Sequence, residues 1–166
     1  RNKIIISLLI YQALTVKEIA ELGIQDIELE RGEIHIKKGY RQQKRILPLQ
    51  AKQILLFYKY LEKDRINLLK YNCRNLEEKS FILGQYGEKI NPHGISKMIN
   101  ETRKESEKIK PIKIRQSVIA NLLKKENDTR IVQVFSGHKR ASTTQQYRQT
   151  DLEILQNAVN QFHPRK

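Results

Sequence analysis

Three side chains in the last third of the chain have the types and spacing of a site that binds and attacks a phosphate. His138 follows Gly137 at a turn, and Tyr147 lies nine residues later. Arg115 lies 23 residues before the histidine. A guanidinium offers paired donors to two phosphate oxygens, and a phenol with a pKa of about 10 is a nucleophile when bases or cations assist it. The set predicts phosphoryl-transfer chemistry.

Each of these residues also has an ordinary structural explanation. Arg115 lies beside the apolar stripe of PIKIRQSVIANLL, which predicts a position at the rim of the core and fits a snorkelling or salt-bridged arginine equally well. A lone histidine is usually a surface or structural residue, and a lone tyrosine is usually an interfacial one. The functional interpretation therefore depends on the joint spacing of the three.

That spacing resembles a known motif. The run SGHKRASTTQQYRQ resembles the pattern L-G-H-x-x-x-x-T-T-x-x-Y of the tyrosine recombinases, the phage integrase family. Gly137, His138, Thr144 and Tyr147 fall on its fixed positions, and Arg115 suits the arginine of the family's H-x-x-R helix.

Two upstream segments extend the resemblance nearly from end to end, in the family's order. KKGYRQQKRILPL resembles the β-hairpin K-G-x-K-x-R-x-x-P-L, with two extra residues in the turn, and places Lys38 at the catalytic lysine. ALTVKEIAEL resembles the G-L-R-x-x-E-L segment that opens the catalytic domain. The resemblance implies one catalytic domain over residues 1–166, with the family's N-terminal DNA-clamping domain absent from this chain.

Two positions depart from the family pattern. Thr15 stands where the first arginine is expected, and Ile112 stands at the histidine of H-x-x-R. Losing charged contacts of this kind costs on the order of a hundredfold or more in rate. Lys17 and Lys113 lie beside the two positions, and each is a candidate replacement charge. Thr15 also has a structural explanation, because Thr15-x-x-Glu18 matches a capping box.

The resemblance implies a mechanism. Tyr147 attacks a DNA phosphate to give a 3′-phosphotyrosyl link and a free 5′-hydroxyl. Arg115 and His138 bind the non-bridging oxygens, and Lys38 protonates the leaving oxygen. Because the covalent ester conserves the energy of the phosphodiester, no cofactor, metal or ATP is expected. The sequence agrees, since it has no P-loop, and none of the other histidines has a ligand at helical spacing.

The charge balance favours a polyanionic partner. Lys and Arg number 32 against 18 Asp and Glu, a formal net charge of +14. Double-stranded DNA is the partner predicted, although a basic ribosomal or membrane-surface protein has the same balance, and a charge run is also compatible with a solvated face. The basic residues expected on DNA phosphates, with salt-sensitive binding, are Lys37, Arg41, Lys44, Arg45, Lys113, Lys139, Arg140 and Arg148.

The remaining composition predicts a cytoplasmic protein without a membrane span or a small-molecule substrate. Cys73 is the only cysteine, so neither a disulfide framework nor a cysteine zinc site is possible. The longest apolar run, Ile4 to Ile10, is too short for a bilayer. An apolar stripe near the C-terminus predicts self-association on DNA as a dimer or tetramer, or docking on its own domain: Leu152, Leu155 and Val159.

The elements that must position these residues are mainly helical. A change to period two after Asp26 predicts a small three-stranded antiparallel sheet in the N-terminal third, and the fold class is therefore α+β, mainly α. The helix over 50–72 is expected to turn six apolar residues inward: Ile54, Leu55, Tyr58, Leu61, Leu68 and Leu69. Other helices are predicted over about 1–14, 15–22, 92–106, 111–125, 128–135 and 143–162.

Two other functions remain open. A degenerate relative that binds DNA without cutting it is favoured by Thr15 and Ile112, but the four matching catalytic residues argue against it. A helix-turn-helix regulator would explain only LTVKEIAELGIQDIEL, and a β pattern follows where its recognition helix should stand.

Overall fold

The computed structural model describes residues 1–39, 42–72, 78–125 and 128–147. Its helices are α1 (Asn2–Tyr11), α2 (Val16–Glu21), α3 (Ala51–Lys59), α4 (Arg65–Leu69), α5 (Pro92–Asn100), α6 (Pro111–Lys124) and α7 (Thr129–Ser136), and residues 141–147 are also helical. The strands are β1 (Ile27–Glu28), β2 (Glu33–Ile36) and β3 (Arg45–Pro48). The predicted α+β class, mainly α, is confirmed.

The three strands form an antiparallel sheet in the order β1-β2-β3. Ile34 pairs with Leu47, and Ile36 pairs with Arg45. Because alternate side chains of a strand point to the same face, these four residues share the buried face of the sheet. The loop between β2 and β3 begins after Ile36 and carries Lys38.

The N-terminus of α2 has the predicted capping box. The hydroxyl of Thr15 accepts a hydrogen bond from the Glu18 amide at 3.2 Å, and the Glu18 carboxylate accepts one from the Thr15 amide at 2.8 Å. Two amides that a helix start leaves unpaired are thereby satisfied, and the Glu18 side chain is fixed in place.

The inward face predicted for the helix after β3 is partly wrong. Leu55 is 74% exposed and Tyr58 is 55% exposed, whereas Gln53 and Phe57 are buried. Gln53 is tolerated inside because it exchanges two hydrogen bonds with Gln12, each 2.8 Å long. The helix continues through a π-helical turn, Tyr60–Asp64, into α4, and α5 ends at Asn100 rather than near residue 106.

Two clusters of buried residues set the position of the C-terminal helices. The larger cluster is centred on α1, which packs against α3, α5 and α6. A smaller one joins Ala13, Ile119, Leu123 and Val132, with Tyr147 packed against it. This second cluster holds α6, α7 and the helical residues 141–147 beside the chain that connects α1 to α2.

No helix in the part of the chain that the structure describes is long and apolar enough to cross a membrane. The predicted apolar stripe of Leu152, Leu155 and Val159 lies outside the described residues, as does Cys73.

Candidate active site

Arg115 of α6 is buried, and its orientation is fixed by backbone carbonyls. The residue is 2% exposed, so the predicted position at the rim of the core is wrong. Its guanidinium donates from Nη1 to the carbonyl of Ala13 and from Nη2 to the carbonyl of Ser136. These bonds offset the cost of removing the cation from water and leave its other N–H groups in a fixed plane.

Glu18 lies between two buried guanidinium groups. Its Oε1 is 2.6 Å from Nη1 of Arg45, and its Oε2 is 3.8 Å from Nη1 of Arg115. Burial alone raises the pKa of Glu18, but the hydrogen bond and charge of Arg45, the Thr15 amide and the charge of Arg115 outweigh it and hold the pKa below its ordinary value. Glu18 is therefore a carboxylate that joins the sheet to α2 and α6.

The prediction that Arg45 contacts DNA on the surface of the hairpin is wrong. The Arg45 side chain is 2% exposed and pairs with Glu18 inside the protein. The cause is the strand register, which puts Arg45 opposite Ile36 on the same face as Leu47. Arg45 acts instead as a structural cation beneath the site.

His138 is held in a buried turn that begins at Gly137. Gly137 adopts the left-handed conformation, with φ of 69°, and the His138 amide then donates to the carbonyl of Gln133 at 3.1 Å. Burial and the nearby charges of Arg115 and Arg45 lower the pKa of His138 from 6.5 to about 4. The ring is therefore neutral at physiological pH. Its Nδ1 lies 2.9 Å from the hydroxyl of Thr144, which is fully buried.

Tyr147 lies next to this histidine. The two rings are stacked, with centroids 5.9 Å apart and planes inclined by 8°. The same tyrosine packs on the cluster that includes Ile119 of α6, four residues from Arg115. The structure thus brings together the three residues that the sequence singled out first, from α6, the Gly137 turn and the last helical segment described.

Lys38 lines a cavity of about 730 Å³ whose wall includes Glu18, the carboxylate 3.8 Å from Arg115. Thr15, Lys17, Glu18 and Gln42 line the same cavity. The preceding lysine, Lys37, is bound to the buried Asp26 at 2.8 Å, whereas Lys38 is exposed and has no ion pair within the described ranges. Of these consecutive lysines, Lys38 is the one whose ammonium is available to a ligand.

A short pairing ties the lysine loop to the histidine turn. Residues Gln42 and His138 form an antiparallel bridge, and the Gln43 amide donates to the carbonyl of Gly137 at 2.9 Å. The side-chain amide of Gln42, oriented with its nitrogen toward the turn, donates to the carbonyls of Ser136 and Gly137, both at 3.1 Å. The loop that carries Lys38 and the turn that carries His138 are therefore joined directly.

The two departures from the family pattern differ in their surroundings. Thr15 caps α2 and lines the cavity beside Lys38. Ile112 is 48% exposed in the first turn of α6, and Lys113 is exposed next to it, outside the set of residues that line the cavity.

Most of the predicted DNA-binding residues lie on the surface. Arg41 and Arg148 lie outside the described residues, and Arg45 is buried. The exposed members of the set are Lys37, Lys44, Lys113, Lys139 and Arg140.

The sequence reasoning missed two groups of polar side chains. The capping box predicts only a capping role for Glu18, although its place in the G-L-R-x-x-E-L segment is a second signal. Glu28, Glu33 and His35 meet across β1 and β2, with ligand atoms within 4.8 Å of one another. Helical spacing does not reveal cross-strand neighbours. This second group is partly exposed, and Nε2 of His35 lies 3.0 Å from Oε1 of Glu28.

Replacing Gly137 with alanine is expected to destabilise the protein by about 2 kcal/mol or more. The residue needs a left-handed backbone, and a Cβ there would lie 2.5 Å from Nη1 of Arg45. Chemical denaturation measures the change. Gly94→Ala is the matched control, because a Cβ at Gly94 meets nothing closer than 4.0 Å and lies in a helix, where alanine is favoured. Equal stability of the two variants would contradict the prediction.

Comparison with known proteins agrees with this geometry. The model of the phage integrase family matches residues 1–153. Tyrosine recombinase XerD of Listeria monocytogenes serotype 4b is 34% identical over 170 residues, which cover 99% of this chain and 55% of that protein. Tyrosine recombinase XerC of Thermodesulfovibrio yellowstonii is 29% identical over 167 residues, with the same coverage of 99% and 55%.

Solved structures show the same fold. The crystal structure of XerA recombinase superposes with a TM-score of 0.73 at 22% identity, covering 98% of this chain and 58% of that one. XerH site-specific recombinase bound to a palindromic difH substrate gives a TM-score of 0.69 at 26% identity, covering 96% of this chain and 45% of that one. The chain spans about half the length of the curated relatives it matches, at 55%. From the family match over residues 1–153, we conclude that this chain belongs to the phage integrase family.

Proposed function

We propose that this chain is the catalytic domain of a site-specific DNA recombinase that cuts and rejoins DNA through a 3′-phosphotyrosyl intermediate. The observation that carries the proposal is the stacking of Tyr147 on the buried, neutral His138 beside Arg115. A nucleophile, a neutral donor and a fixed cation within one small region are what attack on a phosphodiester requires.

In the proposed reaction Tyr147 supplies the nucleophilic oxygen. Its bond to phosphorus forms as the bond from phosphorus to the 5′-oxygen breaks. The phenol proton passes to solvent water and one proton is delivered to the 5′-oxygen, so the number of protons is conserved. Lys38 is the proposed donor of that second proton, since its ammonium is not committed to a carboxylate in the described part of the chain.

Arg115 and His138 are proposed to bind the non-bridging oxygens. The backbone bonds to Ala13 and Ser136 hold the guanidinium before DNA arrives, so little reorganisation accompanies the reaction. When the Thr144 hydroxyl donates to Nδ1, the proton of the neutral imidazole lies on Nε2, where it is available to a phosphate oxygen. Thr144 is thus a positioning residue for His138.

Double-stranded DNA is the proposed partner, and we propose that several copies of the protein assemble on it. The solved relatives include XerH bound to difH DNA and a dimer of lambda integrase bound to a core site. The net charge of +14 and the exposed lysines near the site support a DNA partner for this chain. The proposed unit is one catalytic domain over residues 1–166, acting in the cytoplasm.

A relative that binds DNA without cutting it is the second candidate, and Thr15 and Ile112 favour it. The helix-turn-helix alternative has less support, because α2 is followed by a single 3₁₀ turn, Ile24–Asp26, and then by β1.

The test uses the wild-type chain and radiolabelled DNA sites that carry a nick near the cleavage position. Cleavage then releases a short fragment that bears the new 5′-hydroxyl, and its diffusion away traps the covalent intermediate. We expect a protein–DNA adduct that survives denaturing electrophoresis, with the DNA mapped by mass spectrometry to the peptide containing Tyr147. Tight, salt-sensitive binding without an adduct on any relative's site would reject cleavage in favour of the accessory function.

A further inference from the structure

We propose that Lys17 is a catalytic residue of this chain, supplying to the scissile phosphate the positive charge that Thr15 does not carry. The inference rests on the proposed function, because it concerns the phosphate that Tyr147 attacks. It begins from the shared cavity, which Lys17 lines together with Thr15 and Lys38.

The charges around this cavity leave few cations for a ligand. Three lysines line it, and Lys37 is bound to Asp26 at 2.8 Å. Beneath it, Arg45 is paired with Glu18 at 2.6 Å. Within the described ranges, Lys17 and Lys38 are the lining cations without an ion pair. Since Lys38 is assigned to the leaving oxygen, Lys17 remains for a non-bridging oxygen.

The carboxylate one helical turn after Lys17 is already engaged. Glu21, four residues later on the same helix, binds Lys89 at 3.0 Å. An i,i+4 pair with Lys17 is therefore not what holds this lysine in place. The ammonium is exposed and able to turn into the cavity.

The position of Lys17 is also unfavourable for the helix itself. Lys17 is the second residue of α2, where the helix dipole favours anions and opposes a cation. The fold does not stabilise this lysine, which lies two residues from Thr15, where the family arginine is expected. A role in binding an anion of the substrate would explain its presence. The other candidate, Lys113, lies outside the lining of the cavity, so it does not share this argument.

The experiment compares two nicked DNA sites, one with an ordinary scissile phosphate and one with a methylphosphonate, whose methyl group removes the negative charge. With ordinary DNA, Lys17→Ala should lower the rate of adduct formation about tenfold or more, because the negative charge on the non-bridging oxygens is left uncompensated in the transition state. With methylphosphonate DNA the rate should fall less than about twofold, since this group lacks the negative charge that the lysine would stabilise. Lys17→Arg should retain activity on both sites.

Lys3→Ala is the matched control, since Lys3 is likewise an exposed lysine in the first turn of a helix. The midpoint of unfolding of Lys17→Ala should equal or exceed that of the wild type, which separates a catalytic defect from misfolding. Lys17→Ala behaving like Lys3→Ala, or losing activity equally on both sites, would overturn this inference alone. A wild-type chain that forms no adduct on either site would overturn the proposed function and this inference with it.

Discussion

A Tyr147→Phe variant should form no covalent adduct with nicked DNA, while its fold and its DNA affinity stay close to those of the wild type. The substitution removes one oxygen, and that oxygen is the proposed nucleophile. The phenylalanine ring keeps the stacking on His138 and the packing against the Ile119 cluster. We therefore expect a change in the free energy of unfolding within about 0.5 kcal/mol.

Denaturing electrophoresis measures the adduct, and filter binding or anisotropy measures the affinity. Tyr86→Phe is a suitable control, because Tyr86 is an exposed tyrosine on another part of the surface. An adduct that persists in Tyr147→Phe would remove Tyr147 from its proposed role. An affinity that falls together with the adduct would mean that the hydroxyl contributes mainly to binding.

A Glu18→Gln variant should lose about 3–5 kcal/mol of folding free energy. Its carboxylate neutralises Arg45 at 2.6 Å and offsets Arg115 at 3.8 Å, and removing one partner of a buried charge pair leaves the others uncompensated. Urea denaturation measures the loss. Glu21→Gln on the same helix is the control, since its ion pair with Lys89 is at the surface and is expected to contribute less than about 1 kcal/mol.

The same variant should alter the dependence of stability on pH. The pKa of Glu18 is held below its ordinary value in the folded protein, so its stabilisation is present above the unfolded pKa and is lost as pH falls through the folded one. His138 adds to this loss, because the unfolded chain takes up a proton near 6.5 and the folded chain only near 4. Wild-type stability should therefore decline on acidification, and Glu18→Gln should decline less steeply. Parallel pH profiles would contradict the assignment of Glu18.

Local signals predicted the elements of this fold well. The capping box runs only from Thr15 to Glu18, within one helical turn, and both of its hydrogen bonds are present. The sheet was predicted from its period of two and is confirmed. Signals of this kind depend on neighbours in sequence, so they remain readable before any tertiary contact is known.

Contacts between distant segments were the source of the errors. Arg45 was assigned to the surface because a basic hairpin suggests DNA, yet its strand parity with Leu47 puts it inside, opposite a glutamate 27 residues away. Gln53 was not expected in the core, because its burial depends on Gln12, 41 residues earlier. A partner at that distance decides whether a polar side chain is tolerated in the interior, and composition does not reveal it.

In the candidate site, too, the features set by nearby sequence are predictable and those set by distant contacts are not. The spacing of Arg115, His138 and Tyr147 is visible along the chain, and the structure stacks Tyr147 on His138, whose pKa is lowered in part by the charge of Arg115. The burial of Arg115 and the neutral state of His138 were not visible, because both arise from packing that the spacing does not encode.

The backbone amide of Gln43 donates a hydrogen bond to the carbonyl of Gly137, which lies far away along the chain. This bond joins the loop that carries Lys38 to the turn that carries His138, so DNA that displaces one segment is expected to displace the other. In the proposed reaction, the general acid Lys38 and the imidazole of His138 are then expected to be placed or displaced together. Contact of DNA with either segment alone is then expected to position both groups.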